Sequence, residues 1–190
     1  MNRKTLDRLL ATGGLVIAAV LVAAGALLTW AHTYVHNEVH SQLSAQKVYF
    51  PPKGSDALKP ADIGPYLNKY AGKQLLTGAQ AKAYADHFIA VHLKEIGGGQ
   101  TYSQLSAQAQ KDPTNTKLSG EVQTVFRGET LRGLLLNAYA FDTMGNIASI
   151  VSFLGAGVMA LLGALGFVHA RRIHNPRVEP GFPKQELVKS

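Results

Sequence analysis

The 190-residue chain contains no cysteine. This absence excludes disulfides, thiol nucleophiles, zinc sites with cysteine ligands and iron–sulfur clusters. Proline and glycine are not scarce, since 8 and 19 residues are close to their usual frequencies. The composition therefore gives no sign of a chain that is disordered throughout, and its length allows one domain of ordinary size plus membrane segments.

Charged residues are absent from two long runs, residues 13–31 and residues 144–168. Each run is about as long as a helix needs to cross the ~30 Å hydrocarbon core of a bilayer. Trp30 lies near the end of the first run, where an interfacial aromatic residue is expected. A buried amphipathic hairpin is the alternative, because alanine and glycine are only weakly hydrophobic. Two such runs with matched flanking charge favour membrane spans.

The net charge of +7 is concentrated at the two ends of the chain. Residues 1–12 and 169–190 together contribute +5, whereas residues 32–143 hold 11 basic and 9 acidic residues. The sequence therefore lacks the single basic patch of a nucleic-acid-binding protein. By the positive-inside rule, the basic ends are cytoplasmic and the segment between the two runs is external.

These patterns predict an all-α, multi-pass membrane protein whose long helices extend out of the bilayer. Its predicted parts are a cytoplasmic N-terminus (1–12), a first transmembrane helix (13–31), an external helical domain (32–143), a second transmembrane helix (144–168) and a cytoplasmic basic tail (169–190). The first run also resembles a secretory signal with Ala24-Gly25-Ala26 as a cleavage triplet. An uncleaved anchor is favoured, because the apolar run continues past that triplet to Trp30.

Small residues recur every four positions in the second run. They are Ala148, Ser152, Ala156, Ala160 and Ala164, and the first run offers Gly14, Ala18, Val22 and Ala26. Small side chains on one face let another helix approach closely in lipid. The pattern predicts packing of the two spans on each other, a homo-oligomer, or docking on the helices of a protein partner. A pore is not favoured, because neither run contains a charged residue.

Arginines near the spans are candidate contacts with membrane lipid or with a partner. Arg171, Arg172 and Arg177 follow the second run and can bind anionic headgroups. Arg127 and Arg132 precede the second run and can meet anionic lipid or a protein partner. A solvated or locally paired helix face is the alternative for these two residues.

Capping and stop signals predict short helices inside the external domain. Residues 77–80 and 101–104, TGAQ and TYSQ, fit capping boxes, and Gly97-Gly98-Gly99 is a helix stop. Apolar spacing predicts that the first span continues as a helix to Gln46, and that a helix from Leu118 continues into the second span. A modest core is expected in this domain, and its main aromatic contributors are Tyr49, Phe50, Tyr66, Tyr70, Tyr84, Phe88, Tyr102, Phe126, Tyr139 and Phe141.

Three histidines, His32, His36 and His40, follow the first run at intervals of four. Two histidines four residues apart on a helix can share one metal ion, and neutral imidazole suits zinc or copper. Because His32 and His40 are roughly 12 Å apart along the axis, one ion would use only two of the three. The remaining ligands would come from elsewhere: Glu38, Asp86, His87, His92 or Glu95. The alternative is that the histidines simply occupy the boundary between membrane and water.

The arrangements closest to an acid–base site are Asp86 beside His87, and His92 near Glu95. A carboxylate next to a histidine can orient it for proton transfer. The sequence marks no nucleophile for them to activate, since its serines occupy ordinary helix or turn contexts. Catalytic residues are therefore not predicted.

The segments FPPKGSDAL, IGPYLNKYAGKQL, AYADHFIAVHLKEI and FRGETLRGLLLNAYAF, with the flanking apolar runs, resemble a family of two-span actinobacterial membrane proteins. The resemblance covers nearly the whole chain and implies the plasma membrane of an actinobacterium. Members often carry the label of aromatic ring-opening dioxygenase, which implies an iron or substrate site. Non-haem iron needs two histidines and a carboxylate facing one ion, whereas His87 and His92 lie about 140° apart around a helix. The resemblance therefore assigns no catalytic residue.

Taken together, these features predict a non-enzymatic membrane protein of the cell envelope that serves as an interaction, scaffolding or accessory subunit. An external metal- or ligand-binding or sensing protein is the alternative, and a membrane-bound enzyme is the third hypothesis. No cofactor is expected, apart from zinc if the histidines form a site.

Overall fold

The computed structural model describes the backbone of residues 3–172 and the side chains of residues 5–172. Helix accounts for 82% of these residues, and no strand is present among them, so the predicted all-α class is confirmed. The helices are α1 (Arg3–Ala45), α2 (Gly64–Leu67), α3 (Gly78–Tyr84), α4 (Ala90–Ile96), α5 (Tyr102–Lys111) and α6 (Thr116–Arg172). A π-helical turn, Ala85–Ile89, connects α3 to α4, and 3-10 turns span Asp56–Leu58 and Asn68–Tyr70.

Two of the helices, α1 and α6, are long and apolar enough to cross a membrane, with mean hydropathies of 2.3 and 2.1 in their most apolar windows. Both continue well beyond the uncharged runs, as the apolar spacing predicted. Helix α1 ends where Lys47 adopts a left-handed backbone conformation with φ of 51°. A residue in this conformation just past the last turn is a common way for a helix to stop.

The predicted capping boxes begin α3 and α5. In the first, the Thr77 hydroxyl accepts from the backbone N–H of Gln80, and the Gln80 side chain accepts from the backbone N–H of Thr77. Thr101 and Gln104 make the same reciprocal pair at the start of α5. Helix α4 ends at the predicted triglycine, where φ is 57° at Gly98 and 79° at Gly99. These local predictions are therefore confirmed. They could be made from the sequence because hydrogen bonds between neighbouring residues determine where such helices begin and end.

The described residues divide into two compact units: the first combines those before Ala26 with those after Ile150, and the second is residues 26–150. In the described part of the first unit, α1 and α6 pack through small residues. A Cβ on Gly14 would lie only 3.5 Å from the Cα of Gly163. The Ser152 hydroxyl donates to the carbonyl of Leu21 at 2.8 Å, and Ala156 is 3% exposed. Small side chains thus allow two backbones to approach closely.

The second unit has a mainly aliphatic core. Its buried residues are Leu43, Phe50, Leu58, Ile63, Leu67, Leu75, Ala81, Ala85, Ile89, Leu93 and Leu135. Loop residues between α1 and α3 supply several of these side chains, and one bridge, Tyr49 to Gln74, joins the two ends of that loop. The loop therefore folds back onto the long helices instead of hanging free.

Of the ten aromatic residues expected to contribute to the core, half lie at the surface instead. Only Phe50 is fully buried, while Tyr70, Tyr84, Phe88 and Tyr139 are partly buried. The exposed members are Tyr49, Tyr66, Tyr102, Phe126 and Phe141. On α6, each phenylalanine lies next to an inward-facing residue, Val125 or Asp142, and so points about 100° away from it.

Candidate functional site

A polar contact joins α1, α6 and the start of α3. The His36 Nδ1 atom lies 2.6 Å from a carboxylate oxygen of Asp142, and the other oxygen accepts from the backbone N–H of Gly78 at 3.2 Å. The Asp142 side chain is 13% exposed, against 43% for His36. One carboxylate therefore connects three segments that are distant in sequence.

The three candidate metal ligands on α1 have different surroundings. His32 lies beside His36, with ring centroids 5.9 Å apart, and its Nδ1 atom is buried without a hydrogen-bond partner. His40 is exposed. Among residues 5–172, no group of three histidine or carboxylate side chains has a metal-binding arrangement. A zinc site at these histidines remains a prediction, and Asp142 is the carboxylate that the structure offers to His36.

Asp142 was not identified from the sequence, although one signal pointed to it. It is the only acidic residue between Glu129 and Glu179. A single carboxylate at the entrance to an apolar run is costly unless it finds a partner. The identity of that partner, His36, depends on how α1 packs beside α6.

The π-helical turn carries the second cluster of polar side chains. The backbone N–H of Ala90 donates to the carbonyl of Ala85, five residues back. Turns of this type are rare in proteins, and those that occur are often found at functional sites. His87 stacks on Tyr66 with ring centroids 3.5 Å apart and an interplanar angle of 4°.

An open cavity of about 340 Å³ lies at this turn. It is lined by Pro65, Tyr66, Lys69, Tyr70, Ala79, Lys82, Ala83, Asp86, His87 and Tyr139. We refer to it as the tyrosine–lysine pocket. It brings residues of α2, α3, the π-helical turn and α6 together within the second unit, which no spacing in the sequence predicted.

Asp86 is held by two cations at the edge of this pocket. Its carboxylate lies 2.5 Å from Lys82 Nζ and 3.5 Å from Arg132 Nη2. Burial alone would raise the pKa of Asp86, but the hydrogen bond and charge of Lys82, with the charge of Arg132, lower it below the ordinary value. Asp86 is therefore an ionised structural partner at neutral pH.

The other candidate acid–base residues do not pair with carboxylates. His92 Nδ1 lies 2.7 Å from the backbone carbonyl of Phe88, and His87 is engaged in the stack with Tyr66. Nearby, burial raises the pKa of the Tyr84 phenol. The donors that the dioxygenase label would require thus do not converge, and the described residues do not fit a non-haem iron site.

The two arginines before the second apolar run have different environments. Arg132 pairs with Asp86 and also lies 3.3 Å from Glu129, while its Nε atom is buried without a hydrogen-bond partner. Arg127 is exposed. For Arg132, the structure therefore agrees with the alternative of a locally paired helix face. Arg171 and Arg172 are exposed at the end of α6, and Arg177 lies outside the described residues.

An apolar groove of about 360 Å³ runs between α1 and α6 in the second unit. It is lined by Glu38, Val39, Gln42, Leu43, Gln46, Leu131, Leu134, Leu135, Asn137, Ala138 and Phe141. Leu134 and Phe141 are 61% and 64% exposed. Large apolar side chains grouped at this exposure are typical of a surface that binds something.

Comparison of the chain with protein-family models, curated proteins and solved structures finds no match. The family resemblance thus remains a prediction, and the function is argued from geometry.

The predicted small-residue face of the second span is only partly covered. Ser152 and Ala156 are buried, Ala148 and Ala160 are half-buried, and Ala164 is exposed. On the first span, Gly14 and Ala18 are buried, whereas Val22 and Ala26 are exposed. A strict four-residue spacing drifts about 40° per step around a helix. The buried positions instead alternate in steps of three and four, which keeps them facing a neighbouring helix.

Proposed function

We propose that the chain is a two-span protein of the plasma membrane whose external helical domain, residues 32–143, binds a partner protein. The observation supporting the membrane setting is the surface of α1 and α6. Only 22% of the most apolar window of α1, and 17% of that of α6, is buried inside the protein. Burial of one leucine-sized side chain is worth about 1.5–3 kcal/mol, so water is a poor environment for these faces. Lipid covers them, and Arg171 and Arg172 bind anionic headgroups.

The observation that carries the partner role is the apolar groove between α1 and α6. Its exposed wall includes Leu134 and Phe141, and Met144, about one turn further along α6, is 67% exposed. Met144 is the first residue of the predicted second span. Exposed apolar side chains on α6 therefore extend from the groove to the start of that span. An apolar helix of a membrane-bound partner, leaving the bilayer beside α6, fits such a face.

The proposed role is non-enzymatic because the residues most suited to proton transfer have structural partners. Asp86 is bound by Lys82 and Arg132, and His87 stacks on Tyr66. His36 is paired with Asp142. These side chains hold the helices of the domain together, which suits a rigid presenting scaffold.

Photocrosslinking tests the partner. A benzoylphenylalanine placed at Leu134 in the tagged full-length chain is expected to give one heavier adduct in native membranes, identified by mass spectrometry. The control is the same group at Gln123, an exposed position on α6 outside the groove. An adduct of twice the chain mass would show a second copy in the groove and contradict the proposal. The absence of any adduct specific to Leu134 would also contradict it.

A further inference from the structure

The tyrosine–lysine pocket has an excess of hydrogen-bond donors over acceptors. Two lysines, three tyrosines and His87 line it, and Asp86 is its one carboxylate. That carboxylate is already bound by Lys82 and Arg132. The pocket is therefore built to receive an anion rather than a cation.

Lys69 is the cation best placed to bind such an anion. Its Nζ atom lies 4.8 Å from the centroid of the Tyr70 ring and has no ion pair among residues 5–172. Lys82 approaches the same pocket from α3, and its Nζ lies 5.4 Å from the centroid of the Tyr139 ring. Two ammonium groups and a phenol thus surround one cavity, with an additional charge from Arg132 behind Asp86.

The residues of the pocket lie on connected helical elements. Lys69 is on the 3-10 turn Asn68–Tyr70, directly after α2, and Tyr66 of α2 stacks on His87 of the π-helical turn. Helix α6 supplies Tyr139. A backbone that is already folded into these elements need not be ordered when a ligand binds, which favours affinity.

The position of Tyr139 along α6 relates the pocket to the membrane. It precedes Met144, where the predicted second span begins, by five residues, or about 7.5 Å of helix. Within the proposed topology, this level corresponds to the layer of lipid headgroups on the external side.

We propose that the tyrosine–lysine pocket binds a phosphate group, with Lys69 and Lys82 as its cationic contacts and the Tyr139 hydroxyl as a neutral donor. A phosphate offers several oxygens to donors that converge from different directions, and lysine is a common phosphate ligand. The cavity of about 340 Å³ has room for a phosphate with a small polar substituent. The group can belong to an anionic phospholipid or to a soluble phosphate compound. This proposal does not rest on the partner groove.

The test uses the full-length chain in two forms. In neutral detergent, binding of inorganic phosphate is titrated by microscale thermophoresis. For the lipid probe, the protein is placed in nanodiscs that contain phosphatidylglycerol and phosphatidylcholine. It is then released from the nanodiscs, and the amount of each lipid that stays bound to it is compared. The variants are Lys69→Gln and Tyr139→Phe. The control, Lys73→Gln, removes the same charge from an exposed lysine that does not line the pocket.

Lys69→Gln is expected to weaken phosphate or phosphatidylglycerol binding about tenfold, which is the usual effect of losing one charge-assisted contact. Tyr139→Phe weakens it less, and Lys73→Gln leaves it unchanged. Retention of phosphatidylglycerol without binding of free phosphate assigns the group to a lipid, and binding of free phosphate assigns it to a soluble compound.

Two results overturn the proposal: no binding of either probe by the native chain, or equal loss in Lys69→Gln and Lys73→Gln. The phosphate titration in detergent requires no bilayer, and the Leu134 crosslink requires no phosphate. Failure of the pocket and failure of the proposed partner role can therefore be told apart.

Discussion

At the scale of single residues, Asp142 links three segments of the second unit. It receives a hydrogen bond from Gly78, contacts His36, and is mostly buried. Gly78 is required beside it, because a Cβ there would lie 2.7 Å from the Asp142 carboxylate. The start of α3 is thus positioned by one oxygen of one acid.

Replacement of Asp142 by alanine is expected to destabilise the second unit. The change leaves the N–H of Gly78 and the ring of His36 without their acceptor, at a cost on the order of 1–3 kcal/mol. Thermal unfolding in detergent, followed by circular dichroism, measures the loss. Asp62→Ala is the control, because Asp62 is exposed. Equal midpoints for the two variants would show that the contact contributes nothing to stability.

At the scale of elements, the sequence predicted the helices better than their contacts. The capping boxes at Thr77 and Thr101 and the end of α4 depend on neighbouring residues, so local chemistry specified them. The pairing of His36 with Asp142 spans 106 residues and depends on how α1 lies beside α6. No motif in the sequence marks the π-helical turn. The candidate pocket could not be predicted for the same reason.

The packing of α1 with α6 in the first unit provides a matched pair of glycine substitutions. A Cβ on Gly163 would lie 3.0 Å from the Leu15 side chain and 3.1 Å from the Ala11 carbonyl, whereas Gly157 has nothing within 4 Å. Gly163→Leu is expected to destabilise the helix pair by about 1–3 kcal/mol, as overpacking usually does. Gly157→Leu is expected to be neutral. The two variants are compared by their thermal unfolding midpoints in detergent. A lower midpoint for Gly157→Leu than for Gly163→Leu would refute this helix contact.

At the scale of the whole molecule, the distribution of charge supports the proposed topology. The basic ends flank the two apolar runs, and the mixed-charge segment lies between them. If the two runs span a membrane, the positive-inside rule predicts that residues 32–143 are external. The absence of cysteine makes this proposal easy to examine, because any introduced thiol is unique.

Labelling of single cysteines with a membrane-impermeant maleimide tests that topology. In intact cells, Lys53→Cys is expected to react, since the exposed Lys53 lies in the external domain. Thr5→Cys, at an exposed position near the N-terminus, is expected to react only after permeabilisation. The reverse pattern, or labelling of both before permeabilisation, would exclude the proposed orientation.

Trp30 gives the molecule an intrinsic optical reporter. It is the only tryptophan of the chain, it is 71% exposed, and its ring stacks with that of Tyr34, with centroids 6.4 Å apart. In the proposed topology, all indole emission therefore originates from one depth of the bilayer. The wavelength of that emission, and its quenching by brominated acyl chains, describe a single level along α1 instead of an average over many.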